Sequence, residues 1–169
     1  MALQNPSGKS RLNTLKTVYS GQGMNLFSRE AQTGYRTLDH TADLRIRIEG
    51  EDIPSLFYYA VAALYDLQMK GVPGEANQAG TLGIPGVDRE DLLVKLLNEC
   101  IFRLQAKGEV FYELRIHRLK KDYLSASYRS VQDDLSAFNL QGEVKAATHH
   151  NLKIRKSGTI FCVEVVFDT

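Results

Sequence analysis

The chain has 169 residues, 43% hydrophobic and 24% charged, which fits one globular domain with a core able to fold unaided and makes a second full domain unexpected. No window reaches the roughly 18 to 20 uninterrupted apolar residues of a spanning helix, and the N-terminus lacks a signal-like apolar stretch; a soluble cytoplasmic protein, with no membrane contact and with the nucleus open to it in a eukaryote, is expected. The net charge of +1 is uneven, because residues 1–34 carry four basic side chains against one acidic and the remainder is −2; this balance argues against direct, sequence-independent nucleic-acid binding by the folded part.

Residues 1–34 are rich in Ser, Gly, Asn, Gln and Thr and hold no period for long, so a flexible extension is expected ahead of a folded domain spanning 35–169. Leu44, Ile46 and Ile48 alternate with Asp43, Arg45 and Arg47, the pattern of a half-buried strand. Gly50 ends it, Asp52 is placed to cap a helix, and Pro54 suits the first turn. Leu56, Ala60, Ala63, Leu64 and Leu67 then recur at helical spacing, predicting an amphipathic helix that ends before Gly71. A loop with Pro73, Gly74 and Gly80 leads to a short strand over Thr81 to Ile84. Asp88 caps the clearest helix, with Glu90 and Asp91 in its first turn, a stripe from Leu93 to Leu104, and Gly108 as its stop. Val110, Tyr112, Leu114 and Ile116 fall at period two; a turn at Lys120 to Asp122 and the run Leu124, Ala126, Tyr128 complete a hairpin. A polar loop over 130–141, a strand near 143–154 and a last strand over 160–167, reached through Ser157-Gly158, close the chain. The predicted order is β-α-β-α-β-β-β-β, a single α+β domain with helices layered against a mostly antiparallel sheet.

The two cysteines, Cys100 and Cys162, lie far apart inside apolar patterns, as buried free thiols do, without the spacing of a zinc or redox motif. Three places could carry chemistry. The string Leu38-Asp39-His40-Thr41-Ala42-Asp43 sets two carboxylates and an imidazole just ahead of a strand; its ordinary reading is a turn held by Asp and Thr side chains, its sharper reading a site for a hard cation. Asp168 adds a carboxylate beside the terminal residue Thr169, and would meet Asp43 if the first and last strands are neighbours. Lys145 and His149 share strand parity and form the third group, whereas His150 points the other way. No serine or cysteine nucleophile with a nearby base is legible, and neither Gly21-Gln22-Gly23 nor Gly83-Ile84-Pro85-Gly86 completes a phosphate-binding loop.

Tyr35 with Leu38 to Asp43 resembles the Tyr-x-x-x-Asp-His-Thr-Ala-Asp opening of the archease family. Leu96-Leu97-Asn98-Glu99 is similar to that family's second-helix motif, Glu143 to Ala146 with Thr148-His149 to its penultimate strand, and Val165 to Thr169 to its terminal strand. The resemblance runs in family order from about Tyr35 to Thr169. It implies sheets on either side of a helical layer and a divalent-ion site, typically for Ca2+, with Mg2+ or Mn2+ as alternatives. The ligands it implies are Asp43, Asp168 and a main-chain or terminal oxygen of Thr169, with Asp39 as a further participant. It also implies a non-catalytic accessory role: promoting guanylylation and turnover of an RtcB-type RNA ligase in tRNA splicing and RNA repair, with RNA met only indirectly. His40, Glu99, Lys145 and His149 are then the candidates for contact with the partner. A chaperone-like modulator of nucleic-acid-processing proteins is the alternative, and a small metal-dependent hydrolase using His40 or His149 as base ranks last.

Overall fold

Asp52 and Asp88 begin the two helices in the way their side-chain chemistry favours. A computed structural model describes residues 23–29, 31, 34–38 and 43–169. In it, helix α1 runs Ile53–Gln68 and α2 runs Arg89–Lys107. The Asp52 carboxylate accepts from Ser55 N at 2.8 Å while Asp52 N donates to Ser55 Oγ at 3.2 Å, a reciprocal cap that satisfies two otherwise orphaned donors. Asp88 accepts from Asp91 N at 2.8 Å, and α2 ends on Gly108 at φ 58°.

The strands are β1 Met24–Asn25, β2 Tyr35–Leu38, β3 Leu44–Gly50, β4 Gln78–Pro85, β5 Glu109–Leu119, β6 Tyr123–Gln132, β7 Ala146–Thr148, β8 Arg155–Ser157 and β9 Ile160–Asp168. They form two antiparallel sheets, one in the order β1-β5-β6-β4, the other in the order β2-β3-β9-β7 with β8 also paired to β9. Both helices touch strands of both sheets, so they form a layer between them. The α+β class, the antiparallel pairing and the predicted element order all hold.

Three expectations need correction. Helix α1 is not amphipathic: every residue from Ser55 to Tyr65 is buried, because a helix with a sheet on each side has no wet face. The strand expected over 143–154 shrinks to the three-residue β7; a turn closed by Leu152 N to His149 O, with Asn151 at φ 52°, follows it, and β8 begins only at Arg155. Part of the segment expected to be a flexible extension is built into the fold, since Met24–Asn25 pairs with Leu114 and Glu113, and Leu26 and Ala31 are buried. Residues 1–22 lie outside the described residues.

Two irregularities in β5 explain how α1 is fixed to the first sheet. The register slips between Phe111 and Glu113 and again between Ile116 and Arg118, and each bulge leaves the strand's own ladder locally incomplete. Phe111 N donates to Tyr65 Oη at 3.0 Å and Ile116 N to Tyr58 Oη at 2.9 Å. Two tyrosines one heptad apart on α1 thus supply acceptors beside both bulges, which keeps buried backbone donors satisfied. Burial raises the Tyr65 hydroxyl well above its ordinary pKa, so it stays protonated. Cys100 and Cys162 are both free and buried as expected, and burial pushes the Cys100 thiol up to about 12.

Candidate functional site at the C-terminal strand and the groove over helix α2

The first and last strands of the sequence prediction, β3 and β9, are neighbours. Leu44 pairs with Phe167 in the β3–β9 ladder, so one step further out Asp43 stands opposite Asp168, and both are exposed. Antiparallel partners point to the same side of a sheet with Cα atoms roughly 4.5 to 5.5 Å apart. Strand β7 closes the other flank: Lys145 N donates to Asp168 O at 2.8 Å, and Lys145 Nζ to Thr169 O at 3.2 Å. Four of the sequence-predicted residues, Asp43, Asp168, Thr169 and Lys145, therefore meet at one end of the second sheet.

The donor set there suits a hard divalent cation, because Asp43, Asp168 and Thr169 offer oxygen alone. Among the described residues no three His, Cys, Asp or Glu side chains converge on a metal position. Among the described residues, the oxygen donors at this end are the two carboxylates and Thr169. Asp39 and His40 lie outside the described residues.

His149 does not join Lys145. The two residues flank the three-residue β7, and each is held by a different partner: Lys145 by the chain terminus, and His149 by Asp91, with Nε2 3.2 Å from Oδ1. Shared parity is a poor guide here because neither residue lies within the strand itself. His149 instead lines an open groove of about 510 Å³ with Glu99, Lys95, Asn98, Val94, Asp91 and the β4 residues Gly83 to Pro85. Two of the predicted partner-contact residues, His149 and Glu99, thus share one groove over α2.

The groove is organised by residues that the sequence did not single out for function. Asp91 accepts from Lys95 Nζ at 2.9 Å, from Val87 N at 3.0 Å and from His149, so one largely buried carboxylate positions both basic groups at the groove. Lys95 also donates to Pro85 O at 3.0 Å, which ties the helix to the end of edge strand β4. Asn98 makes a two-way amide bond to Ala147, donating to its carbonyl at 3.1 Å and accepting from its N–H at 2.8 Å. Gln105 donates to Val144 O at 3.0 Å two turns later. These amides replace a neighbouring strand along the otherwise open edge of β7. The legible signal was a polar residue at Asn98 beside the apolar stripe Leu93, Leu96, Leu97 and Cys100.

The Lys95 ammonium, then the backbone N–H of Val87 and the His149 ring, hold the Asp91 carboxyl below its usual pKa despite its burial. A depressed carboxyl pKa contributes stability that is complete above the unfolded value of about 4 and is lost as pH falls through the native value. Asp91→Asn is therefore expected to be less stable than the parent in urea unfolding at pH 7. The gap should shrink steadily below about pH 4; a gap unchanged down to pH 2 would show that the ionised carboxylate is not the source.

A family model described as the Archease protein family (MTH1598/TM1083) matches residues 35–169, four-fifths of the chain. The chain belongs to the archease family. Among similar proteins, the archease of Pyrococcus abyssi is 31% identical over 121 residues, covering 70% of this chain and 85% of that one. The archease of Methanosarcina barkeri is 26% identical over 138 residues, with 79% and 94% covered. The fold matches the solution structure of protein 1598 of Methanobacterium thermoautotrophicum at a TM-score of 0.66, with 23% identity over 80% of this chain and 99% of that chain. It also matches the crystal structure of a Thermotoga maritima archease, described as a possible chaperone, at 0.54 and 24% identity, with 79% and 96% covered. The sequence motifs over Tyr35 to Thr169 thus identify the archease family correctly. Among the described residues no helix is long and apolar enough to cross a membrane.

Proposed function

We propose that this chain is a non-catalytic, divalent-metal-binding accessory protein that activates an RtcB-type RNA ligase by promoting its guanylylation and turnover. Family membership supports an accessory role, and the description of the Thermotoga protein as a possible chaperone belongs to the same class of function. The observation that carries the finer reading is the convergence of Asp43 and Asp168 on adjacent strand ends beside Thr169. Asp43, Asp168 and Thr169 oxygens would hold the ion, with Ca2+ the first expectation and Mg2+ or Mn2+ the alternatives. When bound, the ion supplies fixed positive charge of the kind that stabilises a phosphoryl group during transfer. Lys145 holds the terminal residue in place through Thr169, and its second hydrogen bond, from its backbone N–H to Asp168 O, fixes the strand end that carries the carboxylate. In this reading Glu99 and His149 form a separate contact surface for the ligase on the groove over α2.

The test pairs a physical readout with a functional one. Calcium at about 100 times its Kd should stabilise the protein by ~2.7 kcal/mol, and Asp168→Asn and Asp43→Asn should each abolish most of that gain. In multiple-turnover guanylylation with the ligase of the same host, the parent should stimulate and both variants should not. Metal stabilisation without stimulation would reject the ligase as partner, and stimulation unchanged in both variants would reject the role of the carboxylates.

A further inference from the structure

The outer face of the β1-β5-β6-β4 sheet points away from the helical layer and carries charge out of proportion to the chain. Leu114, Leu124, Ala126 and Leu82 are buried against the helical layer, so strand alternation turns Arg115, Ser125, Ser127, Thr81 and Gly83 outward. The second bulge of β5 changes the count on this face. The register skips one residue between Ile116 and Arg118, and His117 Nε2 lies 2.8 Å from Ser127 Oγ, so His117 and Arg118 both stand on the outer side. The hairpin turn adds Lys120 and Lys121. With Arg129 the face and its turn hold five permanent cations against Glu113 and Asp122, a local +3 in a chain whose total is +1.

These charges are not spent within the fold. Among the described residues, Arg129 meets Glu113 at 3.7 Å, whereas Arg115, Arg118, Lys120 and Lys121 form no ion pair. All four are exposed. At the same end lies an aromatic ring. A Cβ built on Gly83 would meet Tyr123 Oη at 2.7 Å, so the hydroxyl end of Tyr123 reaches over the outer surface of the glycine, and the residue is 38% exposed. A side chain at position 83 would displace that hydroxyl. Ser125 beside Gly83, and Ser127 beside Thr81, keep the neighbouring surface low and lined with hydroxyls.

We propose that this face, with Tyr123 as a stacking platform and Arg115, Arg118, Lys120 and Lys121 as phosphate contacts, binds single-stranded nucleic acid. An exposed aromatic beside small hydroxyl residues and rimmed by unpaired cations matches what an unpaired base and its phosphodiester backbone require. Unpaired cations alone would suit an acidic peptide equally. The exposed Tyr123 ring is the feature that favours bases, because glutamate and aspartate side chains gain nothing from a π surface. This proposal is independent of the ligase reading, and it revises the expectation from overall charge that the folded part has no direct contact with RNA: the average of −2 outside residues 1–34 conceals a locally basic face.

The experiment is fluorescence anisotropy of the full chain with a labelled single-stranded RNA of about twelve nucleotides and mixed sequence, within the range of site sizes for such surfaces. Binding should weaken with salt, with a log–log slope of roughly −3 for four phosphate contacts. The double variant Arg118→Glu/Lys121→Glu, whose sites are exposed, should lose at least about tenfold in affinity. Tyr123→Ala should lose roughly tenfold while Tyr123→Phe stays within about twofold of the parent, and circular dichroism should report every variant folded. The absence of binding at low salt overturns the proposal. So does binding that survives the charge reversal, which would assign it to the basic residues 1–34. Equal affinity for polyglutamate together with an unaffected Tyr123→Ala would overturn it in favour of an acidic protein partner.

Discussion

Arg103→Met is expected to destabilise the protein by ~3–5 kcal/mol, the cost of leaving a buried charge without its partner. The guanidinium is 13% exposed and sits between two carboxylates, 2.6 Å from Glu99 and 2.8 Å from Glu109, with Tyr128 Oη a further 2.7 Å contact. It also stacks near the Phe111 and Tyr128 rings, at 5.3 and 5.0 Å. Burial works against its charge, yet the hydrogen bonds to Glu99 and Glu109 more than compensate and keep it protonated. Methionine fills much of the same volume but leaves the Glu109 carboxylate, 8% exposed, with Ser130 Oγ at 2.7 Å and no cation. Glu109 begins β5 and Arg103 lies in the last turns of α2, so the pair fastens the helix end to the first sheet. The double variant Arg103→Met/Glu109→Gln should recover most of the loss in guanidinium-chloride unfolding, because it removes the stranded charge. If the double variant is as unstable as the single, lost packing and not charge is the cause.

The parts of this fold that are legible in the sequence are those whose signal is local. Asp52, Asp88 and Gly108 mark helix ends through chemistry within a few residues, and the β5–β6 hairpin shows its period. Helix α1 reads as amphipathic only while a single stripe is counted. Phe57, Tyr58, Tyr59, Val61 and Ala62 lie between the stripe positions and are just as apolar, and a helix apolar around its whole circumference already implies a layer on each side. The pairing of Asp43 with Asp168 depends on a contact between strands more than a hundred residues apart, which no local pattern encodes. The sequence poses that convergence only as a condition, or borrows it from the family. The groove residues are hidden for another reason. Asp91 reads as ordinary first-turn acidity, and its second role appears only when the turn after β7 brings His149 over it.

Gly108→Ala is expected to cost ~2–4 kcal/mol, more than a glycine's backbone freedom explains. The residue sits at φ 58°, where an alanine loses about 1–2 kcal/mol to the clash of its own Cβ with the backbone. The larger effect comes from across the chain. A Cβ at this position would run into the carbonyl oxygen of Asp133, and that segment is not free to retreat, since Asp133 N donates to Gly108 O at 2.9 Å. Making room means breaking that bond, for a further ~1 kcal/mol, and moving the end of β6 away from the start of β5. Gly108 N is meanwhile bound to Leu104 O at 3.1 Å, so the helix end cannot slide either. Gly71 and Gly158, at φ 79° and 61° with nothing within 4 Å of where a methyl would stand, supply the internal controls. Alanine at either should show the conformational cost alone, ~1–2 kcal/mol by urea midpoint. A Gly108→Ala loss no greater than theirs would mean that Asp133 yields, and that the junction of α2, β5 and β6 is softer than its hydrogen bonds imply.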